Sequence, residues 1–422
     1  MQALILAAGQ SRRFQPLGDK NFFKLGGKFL IERQVEVLKQ AGVKSLVFVC
    51  NKENSGRIKK TFPRAEVLEQ KNLEEGMRGA VLTAEKLLDK PTLIISSNDV
   101  VEARAVKKVL SSKGGDGAIL AQKVKSYFPG GYLKTGKGKI FSIVEKPVPG
   151  KEPSDLVNIV CHFFNDPSVL IAELKKASNA NDDGYEKALT QVFKKQRFSA
   201  VENIGTWQSL KYPWHALDLT QSFLKGLKRK ISKKADVAKT AVINGEVVIE
   251  DGVKIFDYAV IQGPAYLGRN AAIGTNAFVR DSFVGANSVV GSSSELARSY
   301  LGENVWLHRN YVGDSVIADN VGLGAGAVCA NLRLDEEEVR TVVGEEKIGT
   351  GRSKFGSAIG KNCRIGVSTS IMPGVLIGEN SFVGSGMLME KNLKSGVFLK
   401  AETRLKEVEN AKIVNARGKI KI

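Results

Sequence analysis

Residues 249–279 read IEDGVKIFDYAVIQGPAYLGRNAAIGTNAFV. Ile249, Ile255, Ile261, Leu267, Ile273 and Val279 fall six residues apart. Ile359, Ile365, Ile371, Ile377 and Val383 repeat that spacing, and glycine follows many of these positions, as at Gly268, Gly274, Gly360, Gly366, Gly378 and Gly384. Between the two runs the pattern continues with slips through Val284, Val290, Leu301, Val312 and Leu323. A sustained period of six fits neither an α-helix nor an ordinary sheet. It predicts a hexapeptide-repeat β-helix, in which each short strand stacks its aliphatic residue on the rung below. The stretch LRLDEEEVRTVVGEEKIGTGRSKFGS (332–357) breaks the period and is expected as a loop thrown out from the coil, a place where function often resides.

Upstream the rhythm changes. ALILA (3–7), SLVFVC (45–50), TLIISS (92–97) and GAILAQ (117–122) are short β-rich runs, separated by helical patterns such as 29–42 and 79–90. Strand–helix alternation predicts an α/β, Rossmann-like domain with a mostly parallel sheet, whose ligands sit at the carboxyl ends of the strands. The expected organisation is an α/β domain over 1–230, a linker over 231–243, a β-helix over 244–400 and a tail over 401–422.

The 422 residues carry a formal charge of +19. The densest basic run, LKGLKRKISKKADVAK (224–239), has no interleaved aromatics for base stacking, so phosphate-bearing small substrates fit this charge better than nucleic acid. Four dispersed cysteines with no CxxC spacing, no signal-peptide pattern and no membrane-length apolar run point to a cytoplasmic protein with buried free thiols and no membrane partner.

LAAGQSRRF (6–14) carries the first chemistry. Gly9 after a buried strand lets backbone N–H groups approach a phosphate, and Arg13 and Lys20 can neutralise a triphosphate; by itself the stretch also reads as a tight turn. Asp99, just past the strand 93–95, offers a hard oxygen to Mg²⁺ or caps a turn. Glu145 and Lys146 in EKP can bind sugar hydroxyls and a phosphate, or form a solvated turn.

The order of these features resembles the sugar-1-phosphate nucleotidylyltransferases, with signature L-x-A-G-x-G-T-R, a proline-leucine segment and a lysine. Gly9, Arg13, Pro16, Leu17 and Lys20 match, GGKFLIE (26–32) resembles G-K-P-L-I-E, and Ser11 replaces the second glycine. The resemblance implies nucleotide binding by Leu6, Ala8, Gly9, Gln70 and Gly76, and catalysis by Arg13 and Lys20. It implies sugar phosphate on Glu145, Lys146 and Asn158, with Mg²⁺ on Asp99 and Asn203. YPWHALDL (212–219) resembles the segment before the β-helix in archaeal-type bifunctional members.

In those members a left-handed β-helix N-acetylates an amino sugar phosphate from acetyl-CoA. His308 matches the general base, Arg280 an arginine on the sugar phosphate, Tyr311 a substrate-binding tyrosine, Asn331 a catalytic asparagine, and Lys354 a lysine of the acetyltransferase loop. Departures are Gly322 for asparagine, Ala327 for threonine and Ala297 for a phosphate-binding lysine, with Arg298 adjacent; Glu337 and Arg340 stand at positions that can carry lysines. His162 and His215 read as structural. The expectation is a homotrimeric enzyme that makes a UDP- or dTDP-sugar and pyrophosphate, with a second acetyltransferase activity. The contrasting expectation is a non-catalytic regulatory or scaffold subunit that binds nucleotide or sugar phosphate.

Overall fold

The structure is a computed structural model that describes residues 1–112, 115–179, 182–402 and 404–412. The first half contains β1 (Gln2–Ala7), α1 (Leu30–Gln40), β2 (Ser45–Cys50), α2 (Lys52–Thr61), β3 (Glu66–Glu69), α3 (Gly76–Thr83), β4 (Thr92–Ser96) and α4 (Ala103–Leu110). It continues with β5 (Gly117–Lys123), β6 (Gly131–Gly136), β7 (Lys139–Glu145), β8 (Leu156–Phe164), α5 (Ser168–Lys176), α6 (Gly184–Lys195), β9 (Phe198–Glu202) and α7 (His215–Lys225).

β1 is buried along its whole length and pairs parallel with β2 and β4, and β3 adds parallel to β2. Antiparallel β8 joins β4 and carries β5 and β6 beyond it. The apolar runs read from the sequence are therefore central strands covered on both faces, which is why they lack alternation. The helical pattern over 79–90 stops early: α3 ends at Thr83 and a tight turn, Glu85–Leu87, follows. That turn brings Leu87 and Leu88 into the same core as Leu4 and Ala84.

The second half winds through three parallel sheets of eight, nine and eight short strands. Register advances coil by coil, from Val242 to Val260 to Phe278, and then to Glu295 and Tyr311 as corners lose a residue. The six-residue ladder from Ile249 to Val279, and that from Ile359 to Val383, faces a continuous lumen of buried aliphatic side chains. Each fully buried Ile, Leu or Val contributes about 1.5–3 kcal/mol, so the stack holds the coil together. Asn270, Asn276, Asn287, Asn304, Asn320, Asn362 and Asn380 turn corners at φ between 55° and 61°, a left-handed conformation that asparagine tolerates. Some of them ladder: Asn320 Nδ2 donates to Asn362 Oδ1, and Asn362 Nδ2 to Asn380 Oδ1, both at 2.8 Å.

Two sequence expectations change. The stretch 231–243 is no bare linker: Lys230–Ile231, Asp236–Val237 and Val242–Asn244 pair as the first coil. Backbone pairing decides there, where the aliphatic ladder has not yet begun. The excursion 332–357 leaves the coil but is not loose. Its strands Arg340–Val343 and Glu346–Gly349 form a hairpin, and Val339 and Phe355 are buried with Trp214 and Leu217 of the first half. Cys50, Cys161, Cys329 and Cys363 are free and buried. Of the expected tail, residues 413–422 lie outside the described residues. Among the described residues no helix is long and apolar enough to cross a membrane.

Candidate functional site

A cavity of about 350 Å³ opens at the carboxyl ends of β1 and β4. Leu6, Ala8, Gly9, Lys20, Gln70, Gly76, Glu145 and Lys146 line it, so most of the residues singled out for the first half converge. The β1 end is held by carboxamides from α2 and its cap. Asn54 Nδ2 donates to Ala7 O at 2.9 Å and to Asp19 Oδ2 at 2.9 Å, and Asn51 Nδ2 donates to Ala8 O at 3.1 Å. Ser11, where the family pattern has glycine, adopts φ 54°; its Oγ accepts from Lys20 N at 3.3 Å.

Gly9 is informative by contrast. A Cβ built on it would meet nothing closer than Lys20 Nζ at 3.9 Å. Protein packing does not demand this glycine, so the room it leaves is room for a ligand. Gly76 differs: its φ is +52° and a Cβ would lie 2.0 Å from Asp182 Oδ1. Gln70 donates from Nε2 to Asn72 O at 2.9 Å and Gly76 O at 3.0 Å, so its carboxamide has its oxygen left to offer.

Lys20 is half-buried at the cavity wall. Desolvation lowers its pKa, while Asp99 and Asp19 oppose that shift. Asp99 is buried one residue beyond the lining residue Asn98, and Trp207 Nε1 donates to its Oδ1 at 3.2 Å. Burial raises the Asp99 pKa against the pull of Ser209, Lys211, Trp207 and Lys20. Arg13 is exposed, yet near enough for its charge to lower the pKa of both Lys20 and Lys211.

Asn158 and Asn203 stand back from the cavity. Asn158 Oδ1 hydrogen-bonds His162 Nε2 at 2.7 Å, and His162 Nδ1 bonds the hydroxyl of the lining residue Tyr185 at 2.8 Å. Burial drives the His162 pKa down to about 3, which keeps it neutral, and the structural reading of that residue holds. Asn203 Nδ2 donates to Gln122 Oε1 at 2.9 Å and Gly205 O at 3.0 Å. His215 Nδ1 bonds Ser209 O at 2.8 Å, again a structural role.

The sequence reading missed Lys211, Glu186, Asp182 and Tyr185. Lys211 is half-buried, and desolvation lowers its pKa while Asp99 and Glu145 hold it up. Burial, then Glu145, raises the Glu186 carboxyl to about 7. None of these lies in a recognisable motif; the antiparallel pairing of Asp99–Val101 with Trp207–Ser209 brings Lys211 in.

On the β-helix the candidate residues divide between two surfaces. His308 is exposed on a groove of about 380 Å³ with Trp306, Gly322 and Arg364. Tyr311 Oη donates to Asn331 Oδ1 at 3.3 Å, and Asn331 Nδ2 donates to Asp314, at the corner that follows the strand Tyr311–Gly313. Arg280 pairs with Glu295 at 2.7 Å, and Arg298 forks onto Asp314 at 2.8 and 2.6 Å. Lys354 bridges to Leu332 at the neck of the hairpin, next to Phe355, whose N–H donates to Asn331 O at 3.0 Å.

Residues 2–216 match the family described as Nucleotidyl transferase, and residues 228–327 match a GMPPB C-terminal domain. A bifunctional sugar-1-phosphate nucleotidylyltransferase/acetyltransferase of Sulfurisphaera tokodaii is 30% identical over 95% of this chain and 100% of its own length. The bifunctional protein GlmU of Methanococcus aeolicus is 30% identical over 94% of this chain and 97% of its own length. A solved UDP-glucose pyrophosphorylase in its apo form aligns at TM-score 0.46 and 19% identity, covering 53% of this chain and 98% of its own.

Proposed function

The chain belongs to the nucleotidyl transferase family and, along nearly its whole length, to the bifunctional sugar-1-phosphate nucleotidylyltransferase/acetyltransferases, and from that membership we propose how its own residues do the work. The first domain joins a nucleoside triphosphate to a sugar 1-phosphate. The sugar phosphate oxygen attacks the α-phosphorus in line, and pyrophosphate leaves. The observation that carries this reading is the convergence of Gly9, Lys20, Gln70, Gly76, Glu145 and Lys146 on one cavity from distant parts of the chain.

Gly9 lets the β1–α1 loop lie against the triphosphate. Lys20 and Arg13 stabilise the charge that builds on the leaving pyrophosphate. The oxygen of Gln70 accepts the N3–H that uracil and thymine both present, which favours UTP or dTTP. Glu145 and Lys146 bind the sugar phosphate, with Asn158 behind them.

Among the described residues no three His, Cys, Asp or Glu side chains gather as a metal-binding group. The buried Asp99 carboxylate and the buried Asn203 carboxamide oxygen are hard donors of the kind Mg²⁺ takes. Asp99 and Asn203 would hold it, and when bound it neutralises phosphate charge. The second domain is proposed to N-acetylate an amino-sugar phosphate from acetyl-CoA. His308 takes the amine proton, while Tyr311, Asn331, Arg280 and Lys354 bind the acceptor in an assembly of three copies.

The test is pyrophosphate release with Mg²⁺ across UTP, dTTP, CTP, GTP and ATP, each with glucose-, glucosamine- and N-acetylglucosamine-1-phosphate. Release for one pair, lost in Asp99→Ala, is the expected result. Silence across the panel from folded protein overturns it in favour of a binding subunit.

A further inference from the structure

Three aromatic side chains climb one outer face of the β-helix at matching positions of successive coils: Tyr266, Phe283 and Tyr300. Their rings stack with centroids 4.6 and 5.0 Å apart and planes within 9° and 12°. The stack does not end in solvent. Phe23 lies 4.5 Å beyond Tyr300, and Phe14 lies 6.0 Å from Phe23. Phe14 is 0% exposed and Phe23 7%, in a core shared by both halves of the molecule.

Phe14 directly follows Arg13, and Phe23 stands three residues past Lys20. The two anchors thus bracket the lysine that lines the cavity. Two further contacts tie the same segment to the β-helix. Lys24 Nζ pairs with Glu303 at 2.6 Å, and a Cβ on Gly360 would stand 2.9 Å from Pro16 O. With Ser11 and Gly18 both in left-handed conformations and no element longer than three residues, this loop depends on such contacts for its position. Asn54 holds it at Asp19 from the α/β side, and on the other side it is held at Phe14, Pro16, Phe23 and Lys24, every one of which meets the β-helix or the aromatic core shared with it.

We propose that Tyr300 is a positioning residue for nucleotidyl transfer: as the last ring of the β-helix stack it fixes the loop that presents Arg13 and Lys20 to the triphosphate. The second half is thereby part of the first half's machinery. Removing the ring leaves a void beside Phe23 into which the loop relaxes, and an ångström of misplacement at Lys20 costs a large factor in rate. The hydroxyl is not required, because a tilted ring-on-ring contact, with planes at 34°, is what reaches Phe23.

The inference rests on the transferase reading above, so its test carries a readout that does not. Hydrogen exchange of the peptide spanning residues 9–23 is measured in wild type, Tyr300→Ala and Tyr300→Phe, beside kinetics of pyrophosphate release. Tyr300→Ala is expected to raise exchange in that peptide, leave β1 and β4 protected, and raise the KM for triphosphate about tenfold. The KM for sugar phosphate should stay put, and Tyr300→Phe should behave as wild type. Unchanged exchange in folded Tyr300→Ala overturns the inference. If wild type releases no pyrophosphate, the functional reading falls and the exchange data alone decide the brace. Phe23→Leu, made from the loop side, repeats the test if Tyr300→Ala does not fold.

Discussion

The α/β cavity and the β-helix groove are built in opposite ways. In the first, strand ends and loops wrap a pocket that one chain completes, and Lys20, Lys211 and Asp99 are drawn out of water together. In the second, a straight coil offers only outer surfaces. His308 stands exposed on one, and Tyr311 and Asn331 lie on the next. The arginines there are matched by carboxylates, Arg280 by Glu295 and Arg298 by Asp314. A closed pocket can raise the worth of each charge by excluding water. An open coil needs another surface to do the same, which is the physical reason for placing its proposed chemistry in a trimer.

Four measurements sharpen or break this contrast. His308→Ala should lower acetyl transfer by about 10³-fold, as expected for loss of a general base, and leave pyrophosphate release intact. An equal loss in both activities would join two sites that the geometry keeps apart. Lys20→Ala should lower pyrophosphate release by about 10²-fold and spare acetyl transfer, measured on the same preparation.

Gly9→Ala comes next. With 3.9 Å of clearance it should melt as wild type does, yet raise the KM for triphosphate by about tenfold, since only the ligand meets the added methyl. A drop in melting temperature with unchanged KM would make Gly9 a folding residue.

The smallest effect concerns pH. Glu186, with its carboxyl raised to about 7 and Glu145, Asp182 and Asp183 nearby, is neutral below that pH and ionised above it. Rising pH adds a negative charge beside an anionic substrate, so KM should climb by roughly threefold between pH 6 and 8 and stay flat in Glu186→Gln. The linkage sign is the same for stability. The folded pKa lies above the ordinary glutamate value of 4.5, so the folded state binds more protons in this window. Stability contributed here falls as pH rises from about 4.5 to about 7, and the variant's melting curve should lose that slope.

Much of this was legible along the chain. The period of six set the coil, because stacking identical rungs leaves a linear trace in sequence. The glycine loop, Gln70 and the E-K-P segment were legible because each lies in a short local motif. The α3 boundary and the first coil were not, since tertiary burial of Leu87 and Leu88 and backbone pairing at 230–244 decided them. Nor were Lys211 and Glu186, whose shifted pKa values come first from burial that only the fold creates.

By itself, then, the order of residues determined two architectures and the motifs at one strand end, because periodicity and turn chemistry are local. Only the tertiary structure decided that the hairpin at 340–349 folds back toward α7, that the acceptor arginines are paired, and that Phe14 and Phe23 close on Tyr300. The arginine pairs join successive coils, and the other two contacts join surfaces more than a hundred residues apart; all are selected by burial and charge matching, and no local pattern encodes which surface will meet which.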